Sequence, residues 1–110
     1  MSFRNITESE NRLLLALLDA VPACQSKTSS GAIVLVEPLD DGGMGSLRLT
    51  DRQAAAFPAA EVQFQDSDGV VVIATLYVDR ENVPLEIGVW KVDFSPLIQV
   101  PSELPPANRL

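Results

Sequence analysis

Asp66, Asp68, Asp79, Glu81, Glu86 and Asp93 crowd into one stretch of this chain, with Tyr77 and Lys91 among them. Carboxylates in pairs do acid–base work on glycosidic bonds, and a carboxylate beside a lysine or tyrosine can move a proton. The spacing here points elsewhere. Asp66, Asp68, Asp79 and Glu81 fall in turn sequences, where short acidic side chains bond the local backbone. Glu86 and Asp93 are separated by an odd interval, which sends them to opposite faces of a strand. Lys91 has the parity of an apolar face close to a strand end, so it is expected to snorkel outward rather than act as a base. Asp66-Ser67-Asp68-Gly69 opens like a calcium loop, but the later ligands and the closing glutamate are missing. Gly42-Gly43-Met44-Gly45 has neither phosphate-cradling pattern around it and reads as a tight turn. Cys24 is the only cysteine and the chain has no histidine. An intrachain disulfide, a catalytic triad and a Cys/His dyad are therefore excluded, and zinc and copper would lack their usual ligands. No cofactor and no enzymatic activity are expected.

The elements that position these residues are legible in outline. Thr7-Glu8-Ser9-Glu10 is a capping box, and Leu13, Leu14, Leu17, Leu18 and Val21 follow at helical spacing, which predicts a helix over 8–20 ended by Pro22. Gln25 to Gly31 reads as a polar loop. Ala32 to Glu37 is a short apolar strand, and Ser46 to Thr50 alternates as a half-buried one. Residues 51–60 are either a helical turn or an irregular connection broken by Pro58.

Glu61 to Leu97 reads as two successive β-hairpins. A two-residue turn at Asp68-Gly69 would set Phe64 opposite Ile73. A three-residue loop with Gly69 left-handed would set it opposite Val72. Only the second puts Val62, Phe64, Val70, Val72, Ala74, Leu76 and Val78 on one continuous apolar face, so burial selects it. An even-length connection at Arg80 to Val83 then pairs Val78 with Leu85, Leu76 with Ile87 and Ala74 with Val89. The expected fold is α+β: an N-terminal helix packed on one face of an antiparallel meander sheet of about five strands. Residues 1–98 form a single domain, and 99–110 a Pro-rich tail, extended or frayed.

The opposite sheet face collects Gln63, Gln65, Ile73, Thr75, Tyr77, Glu86 and Trp90, flanked by Glu61, Val71, Gly88 and Val92. It is a solvated outer face, a face covered by 51–60 or by the tail, or a partner-binding face anchored by Trp90 and Tyr77. With 15 acidic and 8 basic residues the net charge is -7. That balance disfavours nucleic acid and anionic membranes and suits a basic protein partner. No signal peptide or membrane span is apparent, which implies a cytoplasmic protein.

Phe64 to Leu97, with its DxDG turn, TLYVD strand and closing LEIGVWKVDFSPL, resembles a family of small uncharacterised bacterial proteins. The resemblance takes in the Thr-capped leucine helix from Ile6 to Leu18 and the Gly43 to Ser46 segment. Such families have Glu-x-Asp/Asn-x-Trp-Lys where this chain has Glu86, Gly88, Trp90 and Lys91, so Gly88 removes one acidic position. The resemblance implies a bacterial origin and supplies no catalytic residue. Two functions follow as expectations. One is an acidic protein-binding module, such as an immunity-type antitoxin neutralising a toxin. The other is a self-associating accessory protein that forms a homodimer through the Trp90 face.

Overall fold

A computed structural model describes residues 3–25 and 35–110 of the chain. It is an α+β fold built, among the described residues, on one antiparallel sheet of seven strands. The elements run β1 (Arg4–Asn5), α1 (Glu8–Asp19), α2 (Pro22–Gln25), β2 (Leu35–Pro38), β3 (Leu47–Arg48), β4 (Phe57–Gln65), β5 (Val71–Val78), β6 (Pro84–Lys91) and β7 (Asn108–Arg109). The start of the expected strand at Ala32 and most of the expected loop before it lie outside the described residues. No helix among the described residues is long and apolar enough to cross a membrane.

The capping box forms as the sequence requires. The Glu10 amide donates to Thr7 Oγ1 at 3.2 Å and the Thr7 amide donates to Glu10 Oε1 at 3.0 Å. Arg4 adds a two-pronged contact to the Glu10 carboxylate, at 2.8 and 2.7 Å, tying β1 to the start of α1. That hydrogen bond from Arg4 is the main reason the Glu10 carboxyl sits below its ordinary pKa. Pro22 both stops α1 and opens α2, since its missing amide costs nothing at a first helical position. Leu13, Leu14, Leu17 and Leu18 join Val36, Val62, Val72, Ala74, Leu76 and Ile87 in one buried cluster.

The meander expectation of five strands is corrected in number and order. The sheet runs β1-β2-β3-β6-β5-β4-β7, and the two added strands, β1 and β7, are two residues each. β3 pairs with β6, as Leu47 with Ile87, rather than with its successor β4. The chain must therefore cross β6 and β5 to reach β4, and residues 51–56, irregular and exposed, make that crossing. Arg52 fastens it to the β5–β6 turn by an ion pair with Asp79 at 2.5 Å.

Both hairpins close by one device. Asp66 and Asp79 each donate an amide to the carbonyl of a valine four residues on, Val70 at 2.9 Å and Val83 at 3.1 Å. The residue before each valine, Gly69 or Asn82, is left-handed, with φ of 82° and 64°. In the first hairpin Phe64 pairs with Val72, the register that burial selects. In the second, Leu76 pairs with Ile87 and Ala74 with Val89, but Val78 faces Pro84, and the register shifts beside Tyr77. The expected Val78–Leu85 pair is thus replaced by a bulge at Leu85. Leu85 is buried yet stands outside the core cluster.

Residues beyond 98, read as extended or frayed, are extended and held. Val100 joins the core cluster, Leu104 and Ala107 pack against it, and β7 pairs with β4 at Ala60 and Glu61. Arg12 on α1 donates to the carbonyls of Pro101 at 2.7 Å and Val100 at 3.0 Å. Running between Asp66 and Ala60, the segment shadows the outer edge of β4, and its prolines keep it from extending the ladder.

Leu17 is fully buried, with 0% of its surface exposed. Leu17→Ala is expected to cost ~2–5 kcal/mol in urea unfolding, through lost transfer energy and the residual cavity. A near-neutral result would mean that α1 is not part of the core.

Candidate functional site

Strand pairing sets the outer face in rows. Gln65 lies beside Val71, whose carbonyl accepts from the Val92 amide at 3.0 Å. Gln63, Ile73 and Trp90 form the next row, then Glu61, Thr75 and Gly88, then Pro58, Tyr77, Glu86 and Arg48. Register thus brings together Gln63, Gln65, Ile73, Thr75, Tyr77, Glu86 and Trp90. Gln63, Gln65 and Trp90 are exposed, and Ile73, Thr75, Tyr77 and Glu86 are half-buried. β7 pairs with β4 at the sheet edge, and the crossing at 51–56 meets the last of these rows, where Arg52, Gln53, Ala54 and Ala56 line a cleft together with Arg48 and Glu86.

Gly88 has a local reason. A Cβ there would stand 3.0 Å from Tyr77 Cε2, so the glycine lets the Tyr77 ring lie diagonally across β6. At the other end of the face, Trp90 is 45% exposed and Phe94 69% exposed. Their ring centroids are 6.3 Å apart at 52°, a tilted aromatic pair. Phe94 holds a left-handed φ of 63°, stabilised by its amide donating to the Lys91 carbonyl at 2.8 Å and by Asp93 accepting from Ser95. Sequence reasoning missed Phe94, because its place depends on a turn that strand parity does not describe.

What holds this end of the face is Lys91, and here the expectation of a snorkelling side chain is overturned. Its side chain is 0% exposed. Nζ donates to Asp66 Oδ2 at 2.9 Å, to Asp68 Oδ2 at 2.7 Å and to the Pro96 carbonyl at 3.1 Å, which uses all three ammonium protons. Asp66 also accepts backbone amides from Ser67 at 2.7 Å, Ile98 at 2.8 Å and Gln99 at 3.0 Å. Burial pushes the Asp66 carboxyl up, but these donors, Lys91 first, outweigh it and hold it at about 2. Burial pushes Lys91 down, and Asp66 and Asp68 more than reverse that. A carboxylate and an ammonium so fully satisfied are structural groups. The signal was present in the sequence: Asp66 and Lys91 share inward parity at the same end of the sheet.

The glycine run serves the same corner. Gly43 and Gly45 are left-handed, and a Cβ would stand 3.2 Å from Pro96 Cβ or 3.0 Å from Leu97 Cδ2. Gly43 also accepts the Leu97 amide at 2.9 Å. Asp41 spans the run, accepting from Met44 at 3.0 Å and Ser46 at 2.9 Å. Ser46 Oγ in turn accepts the Val89 amide at 2.8 Å, standing in for a ladder partner beside β6.

Cys24 lies in the core, and burial pushes its thiol up. Among the described residues no group of three or more histidine, cysteine or acidic side chains is arranged to hold a metal ion.

A family model for a domain of unknown function (DUF6984) matches residues 3–101, and the chain belongs to that family. No curated protein and no solved structure matches the chain.

Because the folded pKa of Asp66 lies below its unfolded value, its contribution is complete above the unfolded value and lost as pH falls toward 2. Asp66→Asn is expected to cost about 3 kcal/mol at neutral pH, the lower end for unpairing a buried charge, since Asp68 stays with Lys91. It should also flatten the fall in stability between about pH 5 and pH 2. Urea unfolding of both proteins across that range is the check, and parallel pH profiles would refute a buried ion pair.

Proposed function

We propose that this member of the DUF6984 family is a small acidic protein-binding module, with no catalytic step of its own, acting in a bacterial cytoplasm. The form that fits best is an immunity-type inhibitor that neutralises a basic toxin by docking its Trp90 face. In this reading α1 covers the aliphatic face of the sheet, which leaves the outer face for a partner.

The observation that carries the proposal is the exposed Trp90–Phe94 pair set among carboxylates. Asp93 adjoins Phe94 in sequence, Glu61 lies one row from Trp90 and Glu86 two rows away. The basic side chain in those rows is Arg48, which faces Glu86 and lies 3.6 Å from Glu37. An aromatic anchor on a face that carries carboxylates matches a basic surface, and long-range attraction would speed the encounter. Val71, Ile73 and Val92 on the same face also suit a second copy of the chain, the alternative reading.

Two measurements separate these. Light scattering over a wide concentration range is expected to show a monomer. A dimer at low micromolar that Trp90→Ala dissociates would transfer the face to self-association. Trp90→Ala is expected to cost about 1 kcal/mol or less in unfolding. It should weaken capture of a basic protein partner by about tenfold or more, and that capture should fall as salt is raised. A stability loss above about 3 kcal/mol would place the ring in the core and refute the docking face.

A further inference from the structure

Away from the Trp90 face, α2, the start of β4, the β5–β6 turn and β7 enclose a cleft of about 360 Å³. That is within the usual range of roughly 300–1,000 Å³ for small-ligand sites. Val21, Phe57, Pro58 and Val78 form the apolar part of its wall, with Cys24 among the lining residues. Arg80 and Arg109 also line it, and both are exposed. The carboxylate side chain in the lining is Asp79. It is already engaged, through Arg52 on one oxygen and the Glu81 and Val83 amides on the other.

We infer that this cleft binds a small amphipathic carboxylate, its apolar body against Phe57, Pro58 and Val78 and its head group held by Arg80 and Arg109. The charge distribution carries the argument. In a chain of net charge -7, two guanidinium groups border one part-apolar cleft whose lining carboxylate side chain, Asp79, is already held by Arg52 and two backbone amides. A guanidinium fork matches a carboxylate in two-pronged geometry and is only weakly hydrated, so it loses little on meeting an anion at an apolar wall. The site is independent of the Trp90 face, so either reading can fail alone.

The probe is anilinonaphthalene sulfonate, an amphipathic anion, titrated into Trp90→Ala so that the aromatic patch does not compete. Its emission is expected to rise on binding. Affinity should fall about tenfold or more, one to two charge-assisted contacts, when Arg80→Gln and Arg109→Gln are combined, and recover in part with lysine at both positions. Decanoate should displace the probe, whereas decanol and inorganic phosphate at the same concentration should not. The proposal is overturned if the double glutamine variant, with an unchanged unfolding midpoint, binds as well as the parent. It is overturned equally if decanol matches decanoate, which means an apolar cleft only, or if phosphate does, which means an oxyanion site only.

Discussion

The ion pair of Lys91 with Asp66 and Asp68 is the constraint on which the rest of the sheet depends. It joins three parts of the chain that are distant in sequence: the β4–β5 turn, the end of β6 and the segment from Pro96 to Gln99. A buried ammonium is tolerable only when every proton has an acceptor, and here each has one. The carboxylate beside it is equally occupied by backbone amides. A network filled in this way cannot slide by one residue without leaving a charge unpaired in the interior, so it holds the strand register as firmly as the apolar face does.

That network also has a consequence for the outer face. Trp90 precedes Lys91 on β6 and must point the opposite way, because successive residues of a strand alternate. Sinking Lys91 into the core therefore presents Trp90 outward, and the turn that follows returns Phe94 to the side of its ring. The glycine run at 42–45 contributes by leaving room for Pro96 and Leu97. The segments that mark the chain at the level of sequence, the DxDG turn, the Gly-Met-Gly-Ser run and WKVDFSPL, thus meet at one corner of the molecule. They read there as parts of a scaffold rather than as a catalytic constellation.

Local features were legible because their causes are local. The Thr7–Glu10 box, the leucine stripe of α1, the left-handed Gly69 and the Phe64–Val72 register each follow from neighbours within a few positions. The Leu85 bulge was not legible, since the pairing of Val78 with Pro84 depends on where the left-handed Asn82 places the turn. The order of the strands was equally hidden: β3 lies beside β6 because residues 51–56 are long enough to cross two strands, and nothing in their composition names a destination.

By itself the sequence determined the α+β class, the two hairpins, the sharing of one face by Gln63, Ile73, Tyr77, Glu86 and Trp90, and the acidic sign of the whole. Those properties follow from side-chain alternation, turn chemistry and summed charge. Only the tertiary structure decided that Lys91 is buried, that the Pro-rich segment is docked along β4, that Cys24 lies in the core and that Arg80 and Arg109 border one cleft. Each of these depends on groups far apart in the chain being brought within a hydrogen bond or a contact of one another, and that proximity is a property of the folded chain alone.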